Sequence, residues 1–394
     1  MGEMRYCVFF PLFFFFDCLS GFLVMEDSGT SGSYGDIGED ADSYLDSVHA
    51  EVSRTFDLAL RQLENDELRR EVRDSYLLCR IADTIEDTDL IDGDDKAELL
   101  ESYSGLIQEH RSGEAGYREV ADWVRDVSDS LKGVHINDLD GSGEEGSYWS
   151  LVRNAHTALS SYDSFEDEAK ENVGRSIQEM AEGMADYVKG PQGIRIKDEE
   201  DLTEYCHYVA GTVGDFLTEL FSIREEVDEK ALRENSEDYA QLLQRINIAR
   251  DPVADLEEED AIFIPETYME GLSHGEFKEE VEKAVESENV REEHLELVQS
   301  VEEILDSAEE RADSAINYVT EFDQAEDDNG VRAYLETPLL LALATADRTE
   351  PEEAFTDSGL KIGREEVGKI LHQAGNITDE QWKDREKLLK NIMA

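Results

Sequence analysis

Apolar residues recur at steps of three and four along most of the chain. From about Ala41 onward the pattern is set by Tyr44, Val48, Val52, Phe56, Leu60 and Leu63, the mark of an amphipathic helix. Strand-like alternation is hard to find. The chain holds only six prolines, which favours long uninterrupted helices. Breaks are signalled by SGEAG at 112–116, DLDGSGEEGS at 138–147, KGPQG at 189–193 and EDDNG at 326–330. The expectation is one all-α domain over 41–394, an assembly of about ten helices. Two segments precede it. Residues 7–24 are apolar except for Asp17 and read either as a signal or anchor or as sequence upstream of a true start at Met25, the preferred reading. Residues 25–40 are acidic and Gly/Ser-rich and are expected to be flexible. No other stretch reaches the roughly 20 apolar residues that a membrane-spanning helix requires.

Charge changes the picture next. Of 394 residues, 97 are Asp or Glu and 36 are Lys or Arg, a formal net charge of -61. The acids lie between apolar positions along the whole chain, and 40% of residues are hydrophobic, so a folded protein is expected rather than a disordered acidic tail. Self-repulsion of this size strains a compact fold in dilute buffer. In molar salt the Debye length shrinks to about 3 Å, so the composition fits a surface adapted to a very salty cytoplasm. It disfavours binding to nucleic acid or to an anionic membrane, which needs basic patches. The four cysteines, Cys7, Cys18, Cys79 and Cys206, have no zinc or disulfide spacing, in keeping with a reducing, cytoplasmic setting.

In such a chain an acidic pair carries little information, because most acids simply solvate a helix face. Acids inside apolar, aromatic-rich segments carry more. In YLLCRIADTIEDT at 76–88, helical spacing puts Tyr76, Arg80, Asp83 and Asp87 on one face with Glu86 beside them. Two carboxylates one turn apart can hold Mg²⁺, with waters and substrate phosphate completing the shell, and Arg80 can contact phosphate. An ordinary intrahelical salt bridge from Arg80 to Asp83 or Asp87 explains the pattern equally well. In LQRINIARDPVAD at 243–255, Asn247, Asp251 and Asp255 form a second stripe with Arg250 adjacent, although Pro252 threatens to kink or end the helix. In YCHYVAGTVGDFLTELFSI at 205–223, small residues make room for a neighbouring helix, the commoner use, or for a long apolar ligand. His207 reads first as a structural histidine. Phosphate-loop, dinucleotide-glycine and zinc spacings are lacking.

Taken together these segments resemble the squalene/phytoene synthase family. DTIED at 83–87 and NIARDPVAD at 247–255 are similar to its two aspartate-rich motifs, and SRTF at 53–56 to its Ser-Arg phosphate element. YCHYVAGTVG at 205–214 resembles its central helix in the form closest to squalene synthases, and EMAEGMADY at 179–187 the helix before it. The matches keep family order across about residues 45–270. The resemblance implies an all-α isoprenoid-synthase bundle around a deep central cavity. It also implies Mg²⁺ held by Asp83, Glu86, Asp87, Asp251 and Asp255, and diphosphates met by Ser53, Arg54, Tyr76, Arg80, Asn247 and Arg250. Tyr205 matches the family's acid/base tyrosine. Further on, TPLLLALAT at 337–345 resembles a C-terminal family helix. GLKIGREEV at 359–367 resembles the segment that squalene synthases use towards NADPH, with Lys361 and Arg364 at basic positions. The implied reaction joins two farnesyl diphosphates head to head and reduces the cyclopropyl product with NADPH to squalene. Joining two geranylgeranyl diphosphates to phytoene is the alternative, and a non-catalytic scaffold a third. A monomer that touches a membrane peripherally to release its apolar product is expected. Ala254, Ala261, Pro252 and Gly363 depart from the family pattern and weaken detailed substrate claims more than the family itself.

Overall fold

The computed structural model describes residues 39–53, 55–139, 144–190, 193–225, 227–269, 272–287, 289–322, 329–356 and 359–393. Residues 1–38, which hold the apolar segment and nearly all of the acidic one, lie outside the described residues, as does Arg54. The first helices in chain order are α1 (Glu39–Ser53), α2 (Thr55–Leu60), α3 (Asp66–Asp87), α4 (Gly93–Ser112), α5 (Tyr117–Ser130), α6 (Glu144–Arg153), α7 (Ala155–Tyr162) and α8 (Asp167–Tyr187). Then come α9 (Glu199–Cys206), α10 (Thr212–Ser222), α11 (Glu229–Arg250), α12 (Pro252–Glu258), α13 (His274–Val285), α14 (Val290–Glu293), α15 (Leu295–Glu309) and α16 (Ala312–Thr320). The series ends with α17 (Val331–Arg348), α18 (Arg364–Gln373), α19 (Asp379–Trp382) and α20 (Arg385–Met393). Helix ends fall at the signals at 112–116, 138–147, 189–193 and 326–330. Gly113 and Gly330, for instance, take the left-handed backbone at the end of α4 and the start of α17.

The expected all-α class is observed, but with about twice the expected number of helical segments, because several long axes are interrupted. Residues 199–222 run as α9, one wider π turn over His207–Gly211, and α10. Small residues here serve close packing. A Cβ at Gly183 on α8 would fall 2.1 Å from the Tyr208 ring, and one at Gly211 2.5 Å from the Glu237 carboxylate. The second acidic stripe is also interrupted. Pro252 supplies the first residue of α12, so α11 stops at Arg250 and Asp251 stands between them with φ −130°, consistent with proline's effect on the residue before it.

α3 is the helix that positions the site. Asn65 caps it by accepting from the backbone N–H groups of Glu67 and Leu68, which satisfies two otherwise unpaired donors. It lies between α4, α6, α7 and α8, and 17 of its 22 residues are buried. Leu77, Leu78, Ile81 and Ile85 join the main hydrophobic core, but the polar face is buried too, so those acids are not a solvated stripe. α11 is flanked by α10, α15, α16 and α17. The segments around 194–196 and 262–264 are laced by Ile262 N–H to Ile194 O at 2.8 Å and Ile196 N–H to Ile262 O at 3.2 Å. Among the described residues no helix is long and apolar enough to cross a membrane. Cys79 and Cys206 are buried free thiols.

Candidate active site

The C-terminal turns of α3 end in a cleft of about 890 Å³. Its walls come from Glu86 and Thr88 at the end of α3, Gly93 and Lys96 at the start of α4, Val188, Gly190, Gly193 and Ile194 after α8, and Leu256, Glu257 and Glu259 to Ala261 at and just past the end of α12, with Lys132 and Lys278 at its edge. The first acidic segment and the continuation of the second past Asp255 therefore meet here, with Glu259 close to Asp87, Glu86 and Asp255, although more than 160 residues separate them in sequence.

The carboxylates are buried and short of partners. Neither oxygen of Asp83 accepts a hydrogen bond, nor do Glu86 Oε1, Asp87 Oδ2 and Glu259 Oε1. Burial, reinforced by Asp87 and Glu86, pushes the Asp83 carboxyl well above the usual range despite the nearby Arg80 charge. Glu86 is raised by burial and by Asp87. Glu259 is raised by burial and then by Asp87, Asp255 and Glu86. Burial lifts Asp87 to about 7 against the pull of Arg80 and Lys96. Buried polar groups are normally satisfied, so a cluster of acids each missing a partner marks a place where positive charge is wanted. Among the described residues, no group of three or more acids, histidines and cysteines converges on one point as a ready-made metal cage. The donor set is nevertheless all oxygen, as Mg²⁺ prefers, and Mg²⁺ is usually held by one or two carboxylates with substrate phosphates rather than by an all-protein cage. The residues fit that ion.

On the same face of α3, Arg80 is fully buried. Its guanidinium lies 4.9 Å from the Tyr148 ring and donates to the Tyr76 hydroxyl at 3.3 Å, and that hydroxyl donates to Val52 O at 3.1 Å. The chain of contacts fixes a planar cation one turn from Asp83. Ser53, at the end of α1, donates its hydroxyl to His49 O at 2.6 Å. Tyr205, in the last turn of α9, lies inside the core, stacked on Phe263 at 4.8 Å and edge-on to Tyr187 at 5.1 Å. Burial first, then Glu86, Glu259 and Asp87, raise its phenol well above the ordinary tyrosine value. Tyr205 thus stays protonated and is within electrostatic reach of the acid cluster.

The second stripe is only partly assembled. Asp255 is buried and faces Glu259. Asn247 is buried with both amide atoms lacking a partner. Asp251 instead pairs with its neighbour Arg250, so two expected ligands, one for metal and one for diphosphate, engage each other. Lys361 and Arg364 lie beyond this corner. Leu360 N–H bonds Arg250 O at 3.0 Å, which ties their segment to the second stripe, with Arg364 exposed at the start of α18. His207 bridges Glu237 at 3.0 Å and Glu179 at 3.3 Å, the structural role expected of it. Sequence reading missed Lys96, Tyr148 and Glu259. Glu259 continues the 251, 255 spacing by one more turn, a signal that was available. Lys96 and Tyr148 had none.

The family model described as squalene/phytoene synthase matches residues 49–365. Squalene synthase 1 of Arabidopsis thaliana is 25% identical over 333 residues, covering 83% of this chain and 70% of that protein. A squalene synthase of Phoma sp. is 26% identical over 314 residues, 79% of this chain but just under two thirds, 66%, of its own length. Among solved structures, a ligand complex of TcSQS superposes with TM-score 0.62 over 90% of this chain and 98% of that one at 21% identity. A dehydrosqualene synthase with bound ligand gives 0.52 at 18%. These two likenesses speak for the helical fold alone, whereas the family model spans most of the sequence. On that match, the chain belongs to the squalene/phytoene synthase family.

Proposed function

We propose that the protein is a squalene synthase: it joins two farnesyl diphosphates head to head to presqualene diphosphate and reduces this with NADPH to squalene. The observation that carries the reading is the meeting of two acidic segments at one buried cleft, with unpartnered carboxylate oxygens on both sides and a protonated phenol facing them. Asp83, Asp87 and Asp255, with Glu86 and Glu259, would hold Mg²⁺. The bound ion supplies charge neutralisation for a departing diphosphate. Arg80, held by Tyr76 and Tyr148, adds a second fixed positive charge on the same side.

When the allylic C–O bond of the first substrate breaks, its electron pair leaves with the diphosphate. The remaining cation is attacked by the double bond of the second substrate, and loss of one proton closes the cyclopropane. Tyr205 suits this proton transfer. A phenol is polar yet neutral, so it can pass a proton to a diphosphate oxygen without trapping the cation. The rings of Phe263 and Tyr187 around it keep water away. Reduction then breaks the cyclopropane with hydride from NADPH and expels the second diphosphate. Lys361 and Arg364, two cations on an acidic surface beside the second stripe, are the residues proposed to meet the dinucleotide phosphates.

Extraction of the product made from labelled farnesyl diphosphate tests the reading. Squalene with NADPH, and presqualene diphosphate without it, are expected. Turnover of geranylgeranyl diphosphate to phytoene, with none of farnesyl diphosphate, would replace the reading. We also propose that the -61 charge requires molar salt for folding, in a cytoplasmic setting with peripheral membrane contact. A thermal melt that does not shift between dilute and molar KCl would remove the salt requirement.

A further inference from the structure

Lys96 stands where the two acidic segments meet. It lies in the first turn of α4, half-buried, and lines the cleft with Glu86 and Glu259. Four carboxylates face it: Asp87, Glu86, Glu259 and Asp89. Its ammonium forms an ion pair with none of them among the described residues. It donates instead to the backbone carbonyl of Glu86 at 2.5 Å, next to the end of α3. The other two lysines of the cleft behave differently, since Lys132 pairs with Asp92 at 2.9 Å and Lys278 approaches Asp260 at 3.6 Å. An ammonium carries three donors, and one is used. On one side there are carboxylate oxygens with spare lone pairs, and on the other an ammonium with spare N–H groups, held close without closing on each other.

We propose that Lys96 is a placeholder cation: without metal it neutralises the acid cluster of Glu86, Asp87 and Glu259, and once a divalent ion takes those carboxylates it presents its free N–H groups to the substrate diphosphate. The proposal rests on the reading of the site as a metal and diphosphate centre. Its physical basis is competition. Two positive charges directed at the same carboxylates repel each other, so the lysine must weaken divalent-ion binding when no diphosphate is present. When diphosphate is present, its negative charge reverses the sign, and the same ammonium strengthens the ternary complex. A lysine that merely caps the last carbonyls of α3 has no reason to produce opposite effects in the two cases.

The test uses the full chain, freed of metal and kept in molar KCl. Mn²⁺ binding is followed by the spin-resonance signal of the free ion, and inorganic diphosphate is then titrated into the Mn²⁺-saturated protein. Lys96→Met is expected to bind Mn²⁺ about fivefold more tightly or better, the low end of a typical coupling between two sites, and to bind diphosphate correspondingly more weakly. Lys96→Arg, which keeps the charge, should stay near wild type in both. Mn²⁺ affinity in Lys96→Met equal to or below wild type would overturn the placeholder role while leaving the metal-centre reading intact. Failure of the wild type to bind Mn²⁺ at all would overturn both. Should Lys96→Met not fold, amine labelling of the wild type read by mass spectrometry decides. Labelling of Lys96 should rise with Mn²⁺ alone and fall again with added diphosphate. No rise with Mn²⁺ overturns the proposal.

Discussion

The two halves of α3 treat buried charge in opposite ways. Near its start, Arg73 and Asp74 are buried but fully paired, and the neighbouring Glu71 meets Arg224 at 2.7 Å. Arg73 donates to Asp74 at 2.7 Å, to Asp46 at 2.5 Å and to Asp42 at 3.0 Å, while Ser161 donates to Asp74 at 2.5 Å. Burial opposes the Arg73 charge, yet these partners outweigh it and hold its pKa above the usual arginine value. Burial raises Asp74 even so, but further along the helix the buried Asp83 and Glu86 and the half-buried Asp87 have no such partners, and Asp83 and Glu86 are pushed well above the usual range while Asp87 is lifted to about 7. Asp74, Asp83 and Glu86 are buried alike in one helix, so burial alone is not what separates them. The difference is completeness. A closed network serves the fold, and an open one of like charges costs stability until a ligand arrives.

The sharpest way to break the comparison is Asp83→Asn or Asp87→Asn. Each removes an unpartnered charge, so the metal-free melting temperature should hold or rise. Turnover should fall on the order of a thousandfold or more, matching the several kcal/mol that a metal ion supplies to catalysis. Near-normal activity of both variants at saturating Mg²⁺ would show that the open acids are not metal ligands. Arg73→Met is the counter-experiment. It leaves Asp74 buried with one remaining donor, and chemical denaturation should report a loss of about 3–5 kcal/mol while activity per folded molecule is kept. A small stability loss with lost activity would mean the closed network belongs to the site.

Tyr205→Phe is expected to have a smaller effect on turnover, a loss of at least about a hundredfold, the low end for general acid/base catalysis. The ring stays, and with it the contacts to Phe263 and Tyr187, so the melting temperature should barely move. A Phe variant with full activity would remove the hydroxyl from the mechanism. One both inactive and unstable would give Tyr205 the role of the closed half of α3.

Much of this contrast was readable from the chain. The helical period, the break points and the aspartates of residues 83–87 follow from spacing, and Pro252 foretold the interruption at Asp251. What spacing does not show is which acids are buried on which side. Asp74 and Asp83 look alike in sequence, and their difference depends on Asp42, Asp46 and Ser161, which arrive from other helices. The same holds for Lys96 and Tyr148, brought to the site by tertiary packing alone. The Arg250–Asp251 pair was hidden for a local reason: a residue between two helices can turn its side chain onto its neighbour, which a continuous stripe would not allow.

The smallest expected effect concerns His207, which sits in the most family-like segment of the chain and yet belongs with the closed networks. Its ring is gripped by Glu237 and Glu179. The hydrogen bond and charge of Glu237, opposed by burial and assisted by Glu179, raise its pKa to about 9. The ring is about one-third exposed at 33%, so screening reduces the interaction, and His207→Gln should cost only about 0.5–1 kcal/mol with turnover nearly intact. The pH dependence identifies the cause. A histidine whose folded pKa lies above its unfolded value of about 6.5 stabilises fully below that value, and the contribution is lost as pH rises through the folded pKa. The stability gap between wild type and His207→Gln should therefore be widest below about pH 6.5 and closed above about pH 9. A gap that is flat across this range would mean that the ring packs rather than pairs. A large loss of turnover at unchanged stability would move His207 from the closed half of the comparison to the open one, and would make the π turn that carries it part of the catalytic apparatus.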